Sequence, residues 1–225
     1  MCARALLLAV VLAGGCSDSG VAAPGQCVGD CVCSGSDCTC EAGGTCSFGP
    51  AVLGDGGEVV PGDGGSALPN NASFDCQSHN TCSVACGTGC ETTCAGGSEC
   101  TGDCGSNCTA TCEGQSTCTF ATGTGSTDTC GGGSTCNLTV GDGTQVTCTG
   151  TSTCNLTIEG QAVVECQGDS HCDVTCPAGG CGLTCTGAAG CTLDCGGGAA
   201  CTTCPGLADA GTCAAGTTCA VRCQG

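Results

Sequence analysis

Residues 146–166 read VTCTGTSTCNLTIEGQAVVEC, and this stretch decides the fold. It contains two short segments in which apolar and polar residues alternate, separated by residues typical of turns. Side chains alternate between the two faces of a strand, so Cys154 and Leu156 lie on one face. Asn155 and Thr157 lie on the other face. The stretch therefore predicts two short β-strands, each with a buried and an exposed side.

The same pattern recurs at a fixed interval. A C-x5-C unit begins every 18 residues, at Cys76, Cys94, Cys112, Cys130, Cys148 and Cys166. A one-residue insertion places the next unit at Cys185, and the later units at Cys195 and Cys213 are more closely or irregularly spaced. A single repeat is too small to bury a core, so the repeats must stack. We predict an all-β fold, a narrow disulfide-stapled β-solenoid with 18-residue coils. Roughly eight coils would form a rod about 40 Å long.

The composition indicates that covalent bonds hold this fold together. The 225 residues include 34 Cys and 44 Gly but only three Phe and no Trp or Tyr. A buried large side chain contributes about 1.5–3 kcal/mol, whereas ordering each residue costs about 1–2 kcal/mol of backbone entropy. With so few large side chains, disulfides are needed, and they form in an oxidising compartment.

The spacing predicts which cysteines pair. One bridge per coil joins each C-x5-C unit: Cys76–Cys82, Cys94–Cys100, Cys112–Cys118, Cys130–Cys136, Cys148–Cys154, Cys166–Cys172, Cys185–Cys191 and Cys195–Cys201. Some coils carry a second pair, and its two positions are gained and lost together, as partners should be: Cys86–Cys90, Cys104–Cys108 and Cys176–Cys181. The alternative pairing joins neighbouring coils, for example Cys130 with Cys148. The spacing does not predict a partner for Cys204 or Cys223, and they are paired with each other only because the other cysteines are already assigned.

Coils without the second bridge carry apolar residues that should fill the interior instead. These residues are Phe120, Leu138, Val140, Val146, Leu156, Ile158 and Val164.

The N-terminus predicts export. Residues 1–15, MCARALLLAVVLAGG, have the charged, apolar and small-residue regions of a signal peptide. The stretch from Leu12 to Cys16 resembles the lipobox of bacterial lipoproteins. That resemblance implies diacylation of Cys16 and a stable anchor in the membrane. A plain secretory signal, with Cys16 as a disulfide partner, is the alternative. Without Cys2 and Cys16, 32 cysteines remain, an even number.

The chain divides by composition into five segments. We predict a signal peptide at 1–15, a lipidated tether at 16–26, a Cys-rich module at 27–46, a Gly/Pro/Asp linker at 47–75 and the solenoid at 76–225.

Charge and the scarcity of reactive side chains exclude several function classes. Two basic residues oppose twenty acidic ones, for a net charge of −18, so nucleic acid is not an expected partner. His79 and His171 are the only near-neutral acid–base groups, and we place them at equivalent turn positions. No catalytic constellation is present. We expect no enzyme activity and no cofactor.

Metal binding is the main alternative function. The stretch CVCSGSDCTC, with Cys31, Cys33, Cys38 and Cys40, resembles the C-x-C clusters of metallothioneins. The resemblance implies thiolate binding of Zn²⁺ or Cu⁺ and a metal-sequestering envelope protein. In an oxidising compartment the six cysteines of 27–46 form three disulfides instead, in which case no metal is bound there.

The sequence pattern of the repeats resembles that of two groups of proteins. Residues 76–201, with TCTGTSTC-type units, resemble the Cys- and Thr-rich β-helical insect antifreeze proteins, whose coils have 12 residues. The chain also resembles the Cys-rich repeat lipoproteins of δ-type proteobacteria, which implies an exported protein anchored by lipid at the bacterial outer membrane or cell surface.

The outward residues of the repeats predict one exposed polar strip. It is formed by Thr135-Asn137-Thr139, Thr153-Asn155-Thr157 and His171-Asp173-Thr175. Such a strip binds ice, a surface polysaccharide or a protein, or it is simply a solvated face. We expect a structural or adhesive role.

Overall fold

A computed structural model describes residues 26–34, 36–49, 51–53, 59–61, 70–205 and 210–223. These residues form 23 β-strands and no helix. The predicted signal peptide, the lipidation residue Cys16 and nearly all of the tether lie outside the described residues.

Two long sheets form the body of the protein. Sheet A has ten strands in the spatial order β1 (Gln26–Gly29), β4 (Thr45–Gly49), β8 (Thr81–Cys86), β10 (Glu99–Cys104), β12 (Thr117–Thr122), β14 (Thr135–Val140), β16 (Thr153–Ile158), β18 (His171–Cys176), β20 (Gly190–Cys195) and β23 (Thr217–Val221). Sheet B has eleven strands, in the order β2 (Cys31–Ser34), β3 (Asp37–Cys40), β7 (Ser73–Cys76), β9 (Glu91–Cys94), β11 (Thr109–Cys112), β13 (Thr127–Cys130), β15 (Gln145–Cys148), β17 (Val163–Cys166), β19 (Gly182–Cys185), β21 (Cys201–Thr203) and β22 (Gly211–Cys213). A separate hairpin joins β5 (Ala51–Leu53) to β6 (Val59–Pro61).

The chain alternates between the two sheets, which confirms the predicted β-solenoid. Each coil contains a four-residue strand of sheet B and a six-residue strand of sheet A, joined by turns. Neighbouring strands are parallel and offset by 18 residues, as in Thr135↔Thr153 and Cys148↔Cys166. Seven six-residue strands, β8, β10, β12, β14, β16, β18 and β20, define seven coils. This number is close to the predicted number of roughly eight, and the shortened C-terminal units add no further six-residue strand.

The interior lies between the two sheets and is filled by alternate residues of each strand. The strand Thr135–Val140 shows this alternation, with every second side chain buried. The apolar residues predicted for coils with one bridge are all buried, with at most 5% of their surface exposed: Phe120, Leu138, Val140, Val146, Leu156, Ile158 and Val164. Apolar side chains therefore occupy the space that a second disulfide fills in other coils.

The one-residue insertion falls in a turn. From β17 to β19 the offset is 19 residues, as in Val163↔Gly182, but the strands stay paired. The extra residue lies between Cys176 and Cys181, where three intervening residues become four. The register of both sheets survives because the turn absorbs the added length.

The Cys-rich module is part of the solenoid, so the predicted boundary at Cys76 is displaced. The strand β3 pairs in parallel with β7, and β4 pairs in parallel with β8. The ring of Phe48 lies above that of Phe74, with 5.0 Å between their centroids. Cys40 begins a C-x5-C unit 36 residues before Cys76, which is two repeat lengths. The inserted segment that contains β5 and β6 hid this relation.

Antiparallel strands close both ends of the parallel stack. At the N-terminal end β1 runs antiparallel to β4 and β2 runs antiparallel to β3. At the C-terminal end β23 is antiparallel to β20, and β22 to β21. Each terminal coil thus has a covering strand of the same chain on both sheets, which leaves only short strands at the edges.

Candidate functional site

A column of disulfides follows one edge of the solenoid. Each C-x5-C unit is closed within its own coil, and seven of these bridges lie in the column: Cys76–Cys82, Cys94–Cys100, Cys112–Cys118, Cys130–Cys136, Cys148–Cys154, Cys166–Cys172 and Cys185–Cys191. The eighth unit, Cys195–Cys201, joins the end of β20 in sheet A to the start of β21 in sheet B and so lies on the opposite edge, where Cys195 continues the register of Cys176. The Cα–Cα distances of these eight bridges run from 5.9 to 6.6 Å, within the range that a disulfide requires. The alternative pairing of Cys130 with Cys148 does not occur.

A second, interrupted column follows the opposite edge. Cys86–Cys90, Cys104–Cys108 and Cys176–Cys181 close that edge where cysteines are available. In the intervening coils Thr122, Val140 and Ile158 continue the register of Cys104. The strand pairing thus places a disulfide in some coils and uncharged, non-cysteine side chains in others at the same position of the coil.

Disulfides at the two ends settle the pairings that spacing left open. Near the N-terminus the bridges are Cys27–Cys31, Cys33–Cys38 and Cys40–Cys46, and near the C-terminus they are Cys204–Cys223 and Cys213–Cys219. Cys31, Cys33, Cys38 and Cys40 therefore belong to three different bridges and do not form a set of four thiolates in this structure. Such extensive cross-linking is typical of exported proteins.

The outward face of sheet A forms a shallow groove of about 720 Å³. It crosses six strands, and its polar lining consists of small hydroxyl, amide and carboxylate side chains: Ser83, Thr101, Asp103, Thr119, Asn137, Thr139, Asn155, Thr157, Asp173 and Thr175. No lysine or arginine lines it. Six residues of the predicted strip line this groove in register between neighbouring strands: Asn137, Thr139, Asn155, Thr157, Asp173 and Thr175. The other three, Thr135, Thr153 and His171, are not part of its lining.

Hydrogen bonds connect parts of this face. The Asn155 amide donates to Oδ1 of Asn137 at 2.8 Å, across neighbouring strands. His171 Nε2 lies 3.4 Å from an Asp173 carboxylate oxygen, and both side chains are about half exposed. Placing the two histidines at equivalent positions was wrong. His79 lies in a turn with a φ of 63°, whereas His171 begins β18 and continues the register of Thr153.

A buried column of polar corner residues was missed from the sequence. One such residue precedes each of the first six of these six-residue strands, β8 to β18, and each is only 1% exposed: Asn80, Ser98, Ser116, Ser134, Ser152 and Ser170. The Ser98 hydroxyl donates to the Ala95 carbonyl at 2.7 Å and accepts the Asn80 N–H at 3.1 Å. Ser98, Ser116 and Ser152 bond turn backbone groups that water cannot reach, whereas the buried Ser134 hydroxyl has no hydrogen-bond partner among the described residues. Their 18-residue spacing was the available signal.

Asp128 is a buried carboxylic acid in the interior of the third repeat coil. It continues the register of Ala110 and Val146, and only 1% of its surface is exposed. Thr122 Oγ1 donates to its Oδ2 at 2.6 Å. Burial raises the pKa of Asp128 from 3.8 to about 6, against the lowering effects of Thr122 and the Ala110 backbone. An ionisable side chain at this inward position, where the neighbouring coils carry Ala110 and Val146, was not predicted.

Comparison of the chain with protein-family models, curated proteins and solved structures found no match. Within the described part of the chain, no helix has the length and apolar character needed to cross a membrane.

Proposed function

We propose that this protein is a non-catalytic, lipid-anchored component of the bacterial cell envelope, with an adhesive role carried by the groove of sheet A. The lipobox-like stretch ending at Cys16 and the density of disulfides support export and anchoring. The stacked coils supply a stiff rod, because each coil is paired along its length with both neighbours.

The chemistry of the groove favours an uncharged, hydrogen-bonding polymer, and we propose a surface polysaccharide. Six strands spaced about 4.8 Å apart give the groove a length of roughly 24 Å. Hydroxyls and amides recur at that spacing, and an extended sugar chain presents hydroxyls at a similar regular interval. Asp103 and Asp173, together with the net charge of −18, disfavour anionic polymers.

Binding to neutral polysaccharides tests the adhesive role. Full-length protein would be mixed with insoluble neutral glycans and with an anionic glycan, and the bound fraction measured after sedimentation. We expect binding to at least one neutral glycan, and a loss of about tenfold in affinity when Asn137→Ala and Asn155→Ala are combined.

The matched control removes similar polar groups from the opposite sheet. Thr129 and Thr147 are neighbours in register on the outside of sheet B. The variant with Thr129→Ala and Thr147→Ala should bind like the wild type. Equal losses in the two variants, or binding only to the anionic glycan, would contradict the assignment of the groove.

The anchor is tested separately. Cells given a radioactive fatty acid should label the wild-type protein but not a Cys16→Ser variant. Absence of label on the wild type would remove the lipid anchor from the proposal while leaving the groove untouched.

Thiol and metal content distinguishes the proposal from the metal-sequestering alternative. Protein purified without reductant should contain almost no free thiol and no stoichiometric zinc or copper. Many free thiols with bound metal would favour the alternative.

A further inference from the structure

Three sulfur atoms from two different disulfides meet at the N-terminal end of the solenoid. The Sγ atoms of Cys27, Cys31 and Cys46 all lie within 4.8 Å of one another. Cys27 and Cys31 form one bridge, while Cys46 is bridged to Cys40. A sulfur of one disulfide is therefore held next to the other disulfide by the fold itself.

The two bridges differ in their access to solvent. Cys27 and Cys31 are partly exposed, because they lie on or beside the covering strands β1 and β2. Cys40 and Cys46 are buried, at 4% and 1% exposure. A dissolved reductant can reach the outer bridge, whereas the inner bridge is shielded by the coil above it.

We propose that Cys27, Cys31 and Cys46 form a thiol–disulfide exchange site whose substrate is a dithiol, either a small molecule or a pair of cysteines on another protein. The dithiol reduces Cys27–Cys31 to two thiols and is itself oxidised to a disulfide, a transfer of two electrons. One of the new thiols then loses its proton and attacks Cys46 Sγ. A Cys27–Cys46 or Cys31–Cys46 bond forms, the Cys40–Cys46 bond breaks, and the Cys40 thiolate takes up a proton.

The second step is an exchange without net oxidation or reduction, so one thiol remains at the exposed end and one appears at buried Cys40. This exchange step requires a thiolate close to a disulfide sulfur, and the cluster holds the sulfurs of Cys27 and Cys31 close to that of Cys46. Because the covering strands pair on one side only, they have more freedom to shift than the strands within the stack.

Similar contacts continue along the solenoid. In four further places a sulfur of the next coil lies within 4.8 Å of both sulfurs of a bridge: Cys100 beside Cys76–Cys82, Cys104 beside Cys86–Cys90, Cys154 beside Cys130–Cys136, and Cys172 beside Cys148–Cys154. Sγ of Cys181 lies 3.7 Å from Sγ of Cys201, which belongs to another bridge. Close sulfur contacts between neighbouring bridges therefore recur on both edges of the solenoid.

Limited reduction of the full-length protein tests the proposal. The protein would be treated with about one equivalent of dithiothreitol, quenched with acid at increasing times, and alkylated with N-ethylmaleimide. Proteases that cleave at Asp30, Asp37 and Glu41 separate Cys27, Cys31, Cys40 and Cys46 onto four peptides. We expect label first on Cys27 and Cys31 and later on Cys40, together with a cross-linked peptide that joins Cys46 to Cys27 or Cys31.

Two double variants serve as the test and its control. Replacing Cys27 and Cys31 by Ser should slow the labelling of Cys40 by about tenfold or more, because the attacking thiol is gone. Replacing Cys33 and Cys38 by Ser also removes one N-terminal bridge but should leave Cys40 labelling unchanged.

The proposal is overturned if Cys40 labels as fast without Cys27 and Cys31 as in the wild type. It is also overturned, without any variant, if wild-type label stays on Cys27 and Cys31 and no cross-linked peptide contains Cys46. The second criterion holds even if a variant does not fold.

Discussion

Raising the pH from 4 to 7 should weaken the solenoid through Asp128, and replacing Asp128 by Asn should remove that weakness. The carboxyl group is buried at a position that Ala110 and Val146 occupy in the neighbouring coils. Deprotonation there places a charge where only the Thr122 hydroxyl and the Ala110 backbone are available to stabilise it. Asparagine has almost the same shape and carries no charge.

The size of the effect follows from the pKa of Asp128, which rises from 3.8 to about 6 on folding. Below pH 3.8 the group is protonated in both states and costs nothing. As the pH rises through 6 the folded state must give up a proton that it holds more tightly than the unfolded state does. The free energy of unfolding therefore falls with increasing pH, mainly between pH 3.8 and about 6, and this group contributes a fall of about 2.4 kcal/mol between pH 4 and pH 7.

Unfolding in guanidinium chloride, followed by far-ultraviolet circular dichroism at several pH values, measures this effect. The chain has no Trp or Tyr, so fluorescence would not report it. We expect Asp128→Asn to be more stable than the wild type by up to about 3 kcal/mol at pH 7 and nearly equal to it at pH 4.

A general effect of charge must be separated from that of Asp128. The 20 acidic residues repel one another less as the pH falls, and this stabilises every variant. Glu165→Gln, which removes an exposed charge from sheet B, should keep the wild-type pH dependence. If the free energy of unfolding varied with pH in the same way for Asp128→Asn and the wild type, ionisation of buried Asp128 would not destabilise the fold, which would refute this prediction.

Three further predictions concern the interior. Ile158→Ala should cost about 2–5 kcal/mol in unfolding free energy, whereas Val163→Ala, at an exposed position, should cost less than about 0.5 kcal/mol. Combining Cys104→Val with Cys108→Thr, which copies the Val140 coil, should leave a folded protein that loses at most about 2 kcal/mol, measured by denaturation. Ser116→Ala leaves the Ser98 N–H without its acceptor and should cost about 1–3 kcal/mol, with faster amide exchange at Ser98.

The repeat architecture was predictable because its two determinants, period and alternation, are local. The spacing of Cys130, Cys148 and Cys166 sets the length of a coil, and the alternation around Leu156 sets which side chains face inward. Both properties survive changes in any single residue. They also gave the position of the groove, since Asn137 and Asn155 must project outward if Leu138 and Leu156 project inward.

The remaining features depend on contacts between distant parts of the chain. The insertion after Gly49 separates Cys46 from its neighbour in space, Cys82, so the N-terminal coil looked like a separate module. Asp128 stands at an inward position of the alternation, but the residues predicted for the interior were all apolar. The three-sulfur cluster of Cys27, Cys31 and Cys46 arises only when a covering strand folds back over the first coil, and spacing carries no information about that.

The 19-residue offset at the turn after Cys176 shows that a coil tolerates added length where its strands end. Whole units are tolerated for a related reason, since each coil contacts only the coil above and the coil below. Duplicating or deleting 18 residues would preserve every strand pairing and change the reach of the molecule by a single step of about 4.8 Å. Gain or loss of whole repeats would therefore change the length of the molecule in even increments without requiring a new core.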